Sequence, residues 1–326
     1  MTSSKRNSYL LLGAVLVLAG WGGLGTLLIT TLFCYFVLNK LTVLRYKWLT
    51  ISAYIAIVTV IGALMVYFVD QAARTLPKVM ATVIPMILQF ASDHGLDLPF
   101  TDIGSLKSFT MDYMKTKLLF FGIFAETAAK QCVFLLIGIV GSVSIFLSPG
   151  MDLNRRNYRV KNNIYTASSS EIANRFRAFY DSFETVMGAQ LTISTINTGL
   201  TSIFVLVAHL PYGPLLIVTT FFCGLIPIAG NLISNTIIVG VAFTVNPHLA
   251  LWALAFLITI HKLEYFLNSK IIGERINNPV WLTLIGLIVG ERLMGLTGMI
   301  LAPVLLNYIK LEAAQMKTSE LDQDAP

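Results

Sequence analysis

Three apolar runs dominate the hydrophobic and polar pattern of the chain, at residues 9–38, 215–245 and 280–309. Each holds about thirty residues, and a straight helix of that length reaches ~45 Å, well past a hydrocarbon core of ~30 Å. Each is also interrupted. The first carries Gly20-Trp21-Gly22-Gly23-Leu24-Gly25, and the second Leu225-Ile226-Pro227-Ile228-Ala229-Gly230-Asn231. The third carries Gly290-Glu291-Arg292, with Gly295 and Gly298 close behind. Glycine loosens a helix and proline removes a backbone donor, so each run predicts two short helices rather than one. A single tilted span with flexible glycines is the alternative reading of 9–38. At membrane depth a broken helix is tolerated only where it is buried in protein or lines a cavity.

Single spans are predicted at 49–69, 118–147, 191–210 and 249–267. Residues 72–91 and 103–121 show apolar positions at helical spacing and predict amphipathic helices on or near the outer leaflet. His94-Gly95-Leu96-Asp97-Leu98-Pro99 is the turn between them, and Pro211-Tyr212-Gly213-Pro214 is a tight external turn. Ser168-x-x-Glu171 reads as a capping box ahead of Ile172, Phe176, Phe179, Phe183 and Val186, a stripe in steps of three and four. That stripe packs on the bundle or a neighbouring subunit, or serves as an interfacial anchor. The chain then divides into N-terminal membrane segments (1–69), an outward amphipathic loop (70–117) and a span (118–147). A cytoplasmic basic, amphipathic segment (148–190), a C-terminal membrane region (191–310) and a disordered tail (311–326) follow. The expected fold is an all-α integral membrane protein with about eight membrane segments, some of them broken or re-entrant hairpins.

Composition agrees. Of 326 residues, 56% are hydrophobic and 12% charged, against about 25% charged in soluble domains. The net charge of +6 is therefore read as loop bias that orients the chain, not as a nucleic-acid footprint. If all three broken runs return to the side they enter from, loops 39–48, 148–190 and 268–278 share one side with both termini. Their basic bias makes that side cytoplasmic. Lys5 and Arg6 before an apolar run resemble a signal peptide, but no small-x-small cleavage site follows, which predicts a retained first segment. Cys34, Cys132 and Cys223 all lie in apolar segments, without metal-ligand spacing. Neither a metal, a cofactor nor a disulfide framework is expected.

A series of motifs then carries a resemblance: Gly188-Ala189-Gln190, Leu225-Ile226-Pro227-Ile228-Ala229-Gly230, Leu263-Glu264, Lys270-Ile271-Ile272-Gly273, Asn278-Pro279, and Gly295-Leu296-Thr297-Gly298-Met299-Ile300-Leu301-Ala302-Pro303-Val304. In order and spacing over 170–310 the chain resembles the autoinducer-2 exporter family of multi-pass bacterial permeases. The resemblance implies export of a small polar solute such as autoinducer-2, or, for some members, sodium–proton antiport. The chain departs from the family where Glu291-Arg292 replace a common Gly-Gly, near Ser269 where a proline is common, and at His261 where Gln is frequent.

Candidate path residues follow from cost. An ionisable side chain at membrane depth costs roughly 2.5–3.5 kcal/mol on insertion scales, so Glu291 and Arg292 are the first candidates, for a proton, a cation or an anionic solute group. The other reading places both at a solvated hairpin tip. Glu126 and Lys130, spaced i,i+4, are either a charged pair on an ion path or an interfacial pair. Asn231 and Asn235 suit a polyhydroxylated solute, or act as interhelical glue. His261 titrates near neutral pH or sits at an interface. Pro227, Gly230, Gly295 and Gly298 shape the breaks. Partners are the bilayer and a small solute or ion; self-association is left open. The sequence holds no HExxH, GxSxG or paired intramembrane Asp motif, so an enzyme is not expected. A scaffold that recruits a partner through Phe176 and Phe179 is the remaining non-transport reading.

Overall fold

The computed structural model describes residues 3–93, 118–148, 160, 163–226, 229–272 and 279–315. Among the described residues there are helices and no strands. They are α1 (Ser3–Trp21), α2 (Gly25–Lys40), α3 (Lys47–Asp93), α4 (Leu118–Leu147), α5 (Ile164–Val207), α6 (Gly213–Gly224), α7 (Ala229–Val245), α8 (Pro247–Ile272), α9 (Val280–Met294) and α10 (Leu296–Ala314). Among these residues the stretches Gly25–Val43, Lys47–Gln71, Ala129–Leu147, Ile164–Val207 and Leu296–Ala314 are long and apolar enough to cross a membrane. Arg6–Trp21, Gly213–Gly224 and Gly230–Val245 are shorter apolar helices. The chain is an all-α membrane protein.

All three long runs are broken, the first and third at their glycines and the second after Gly224. α1 and α2 are joined across Gly22, Gly23 and Leu24, with Gly23 at φ 64°. α6 ends at Gly224 and α7 begins at Ala229. Gly295, at φ 60° and ψ −140°, ends α9 and starts α10, a conformation that only glycine adopts without strain. At ~1.5 Å per residue α6 reaches only about 18 Å, too short to span alone.

Two compact units partition the chain. Unit 1 holds Met1–Ile51, Phe134–Ala189 and Ile271–Pro326; unit 2 holds Ser52–Val133 and Gln190–Lys270. The divisions therefore fall inside α3, α4, α5 and α8.

Unit 1 is built on a close hairpin. A Cβ on Gly290 would strike the Gly298 carbonyl, one on Gly298 would strike Gly290's, and one on Gly286 would meet Leu306 Cδ1 at 3.0 Å. This pairing runs antiparallel, and the glycines let two backbones touch. The α1–α2 turn nests on the α9–α10 turn: a Cβ on Gly20 would lie 3.4 Å from Met294 Cε, and Gly25 sits against Thr297. The apolar stripe of α5 supplies the core, with Phe179, Phe183, Val186 and Met187 buried against Leu12, Ile29, Leu301, Val304 and Tyr308. Phe33 meets Phe183 edge-on at 5.1 Å, and Phe179 meets Tyr308 at 5.7 Å, pairs worth ~0.5–1.5 kcal/mol each beyond burial. The stripe thus packs on its own unit. Phe179, 3% exposed, is not free to recruit a partner.

Four sequence expectations change. α3 runs unbroken through Asp70, Pro77 and Pro85 to Asp93, so 72–91 continues the span helix instead of starting a new one. Each proline removes one donor and leaves the rest of the ladder to hold. α5 likewise joins the amphipathic 172–186 to the span 191–207 in one helix. It starts at Ile164, where Asn163 Oδ1 accepts the Thr166 N–H at 2.8 Å, so Ser168 is one turn inside the helix and caps nothing. α10 continues to Ala314, so residues 311–314 are helical, with Glu312 buried, and do not start the tail. The reason is Glu312. It is buried between Arg175, whose guanidinium donates to it, and Tyr9, whose hydroxyl donates at 2.6 Å. The turn at 94–99 and the start of the 103–121 helix lie outside the described residues.

Candidate functional site

The polar centre of unit 2 grows from the broken run. A helix that stops leaves its last carbonyls without partners. α6 stops at Gly224, and α5 supplies the donors: Ser194 Oγ donates to the Phe221 carbonyl at 2.7 Å, and Gln190 Nε2 to the Gly224 carbonyl at 2.6 Å. Gly224 lies against Ser194, and Gly230 lies on the Cys223 backbone, where no Cβ fits. These contacts hold the start of α7 beside the end of α6.

Asn231 is in the first turn of α7. Its Nδ2 donates to Glu264 Oε2 on α8. Asn197 of α5 is also within hydrogen-bonding reach of that carboxyl. His261, one turn before Glu264, places Nδ1 3.7 Å from Oε2 with its own side chain 49% exposed. Glu264 is 9% exposed and Asn197 4%. Asn197 Oδ1 is buried and has no hydrogen-bond partner among the described residues. Among those residues no Lys or Arg pairs with Glu264. The carboxyl accepts the Asn231 amide N–H at the positive end of α7, with Asn197 and the His261 imidazole close by. Such a group can take up a proton, exchange it for a cation, or hydrogen-bond the hydroxyls of a solute.

The sequence candidates scatter over the molecule. Asn231, Gly230 and His261 meet in this cluster; Asn235, half-buried, is one turn further along α7. Pro227 lies outside the described residues. Glu291 and Arg292 are in unit 1, exposed in the last turn of α9, and their side chains do not pair. As i,i+1 neighbours they point apart, and Arg292 complements the negative end of the helix. Gly295 and Gly298 serve the hairpin turn and the close backbone contact described above. Lys130 is exposed on α4, and the side chain of Glu126 is outside the described residues.

A family model described as "AI-2E family transporter" matches residues 8–315. The chain belongs to the AI-2E transporter family. A protein of Bacillus subtilis (strain 168), named "Putative transport protein YdbI", is 33% identical over 133 residues. That match covers 40% of this chain and 38% of the relative, well under half the length of either.

In this AI-2E family transporter the residues missed in the sequence were Glu264 and Asn197. Glu264 was seen only as part of the Leu263-Glu264 motif at a span end. A signal was present, because a carboxylate three residues after His261 shares its helix face. Asn197 sits among Thr192, Thr195, Thr198 and Ser202, small polar residues of α5, and nothing in its local sequence separates it from them.

Proposed function

We propose that this AI-2E family transporter is a permease of a bacterial inner membrane, with both termini cytoplasmic. It exports a small polar solute such as autoinducer-2 or a related metabolite. The observation that carries the reading is the buried Glu264 carboxyl, hydrogen-bonded by Asn231 and neighboured by Asn197 at the break of a membrane helix. Broken helices in transporters present helix ends and side chains to solute and coupling ions. Amides beside a carboxyl supply both donors and acceptors for a polyhydroxylated molecule. Asn197 Oδ1 is buried with no hydrogen-bond partner among the described residues, an unused acceptor near the carboxyl.

A second reading, cation–proton exchange, is favoured by one feature. Glu264 has a titratable neighbour in His261 and no Lys or Arg partner among the described residues. Both readings are tested in proteoliposomes carrying the full chain, with solute flux measured against an imposed proton gradient. Glu264→Gln and Asn231→Ala are expected to lower solute flux tenfold or more ("tenfold" being about 1.4 kcal/mol of lost interaction), while Glu291→Gln leaves it unchanged. Cation-driven proton movement without solute flux, abolished by Glu264→Gln, selects the exchanger. Unchanged flux and unchanged proton dependence in Glu264→Gln removes this site from function altogether.

A further inference from the structure

Glu264 sits beneath the surface, so a proton that reaches its carboxyl needs a carrier. Three side chains act on that carboxyl: the amides of Asn231 from α7 and Asn197 from α5, and the imidazole of His261 on its own helix. The rest of what α5, α6 and α7 pack on α8 is apolar, with Val205, Leu216, Ile238 and Val241 against Ala253 and Leu257. Amides do not titrate at ordinary pH. An imidazole does, between about pH 5 and 8. His261 also straddles the surface: its side chain is 49% exposed against 12% for Glu264, with Nδ1 3.7 Å from Oε2. That gap is just past a hydrogen bond, and a small turn of the ring or one bridging water closes it. Lys262, next along the helix, is exposed as well, so this turn of α8 lies where an ammonium is solvated.

Glu264 has partners in both protonation states. Charged, it accepts from Asn231 Nδ2. Neutral, its O–H needs an acceptor, and Asn197 Oδ1 is buried with no hydrogen-bond partner among the described residues. A half-turn of the Asn197 amide puts oxygen where nitrogen stood. Protonation also removes the cost of a buried charge, which no Lys or Arg among the described residues offsets. We propose that His261 is the proton relay of Glu264, carrying protons between the surface and the buried carboxyl. Nε2 takes a proton from water, Nδ1–H gives its own to Oε2, and the neutral ring turns over to reset. The reverse order discharges the carboxyl. The relay rests on the reading of Glu264 as part of the transport site, and it serves solute export and cation exchange alike.

The test uses proteoliposomes of the full chain with a trapped pH-sensitive dye, driven by a gradient of autoinducer-2 or of sodium. Proton movement is followed from about pH 5 to 8, the range of an imidazole. In the wild type the rate is expected to change through that range. His261→Gln keeps the size and hydrogen bonding of the side chain without titrating. It is expected to slow proton movement roughly tenfold or more and to flatten the profile. His261→Ala should behave likewise and recover when imidazole is added. Glu264→Gln should block proton movement with or without imidazole. A Glu264→Gln protein that moves protons like the wild type removes the transport-site reading and the relay with it. Loss in Glu264→Gln beside an unchanged rate and profile in His261→Gln overturns the relay and leaves that reading standing. An equal loss at every pH in His261→Gln, with no rescue of His261→Ala, marks a structural role and overturns the relay too, as does a wild type that moves no protons under either gradient. Should His261→Ala fail to fold, the profile of His261→Gln decides by itself.

Discussion

Cutting the chain after Lys310 removes five helical or capping residues, and one of them, Glu312, matters most. Its carboxylate and the Arg175 guanidinium form an ion pair with side chains only 9% and 12% exposed. Arg175 also stacks over the Tyr9 ring, 4.5 Å from its centroid, and reaches Glu171 at 3.5 Å. Removing one partner of a buried pair costs ~3–5 kcal/mol, because the other charge stays buried. Glu171, about a third exposed (34%), restores part of this, on the order of 1 kcal/mol for a half-solvated pair. The net loss is about 3 kcal/mol, or ~6–12 °C in melting temperature at the ~2–4 °C per kcal/mol of larger domains. The measurement is thermal unfolding of purified protein in detergent. Chains ending at Lys310 and at Gln315 are compared with the full length and with Glu312→Gln. The Gln315 chain should melt with the full-length protein. The Lys310 chain and Glu312→Gln should both fall, by similar amounts. A Lys310 chain that melts with the full-length protein refutes the reasoning and returns 311–314 to the tail.

Three further outcomes follow from the same contacts. Gly230→Ala drives a methyl into the Cys223 carbonyl and should cost ~1–3 kcal/mol or more of stability, with transport falling in parallel; a wild-type melting curve would contradict it. Gln190→Ala with Ser194→Ala leaves the Gly224 and Phe221 carbonyls without their donors, at ~1–3 kcal/mol each. Proteolysis at the break between α6 and α7 should then accelerate, whereas Thr195→Ala, whose hydroxyl only bonds its own helix at Leu191, should not change it. Phe183→Ala empties a fully buried site in the α5 stripe and should lower stability by ~3–5 kcal/mol, measured by the same unfolding assay, while the exposed Ile203→Ala stays near wild type.

Much of the fold was legible because membrane segments are written locally. Thirty-residue apolar runs outreach the bilayer, and in the first and third of them glycine marks the break; the turns at Gly23 and Gly295 fall where those residues stand. Two kinds of local boundary signal gave way to the folded chain. Asp70, Pro77 and Pro85 look like stops, yet a helix held by its own backbone ladder passes them. Ser168 has the letters of a cap, but Asn163 reaches the free N–H first. Cost alone drew attention to Glu291 and Arg292, since charges at membrane depth are expensive. Both stand exposed in the last turn of α9, a position that fits a path residue and a solvated hairpin tip alike.

Length, apolarity and break points determined by themselves that this is an all-α membrane protein with interrupted helices, since each depends on neighbours along the chain. Only the tertiary structure decided which polar groups meet. Asn197, Asn231 and Glu264 are separated by more than thirty residues at each step, and they form one site because α5, α7 and α8 bring them into hydrogen-bonding reach. Glu312 is the same case in unit 1: an acidic residue in a polar stretch by sequence, and a buried partner of Arg175 once α10 packs on α5. Burial and pairing are properties of the packed chain, and the cost of a lone buried charge is what fixes them in place.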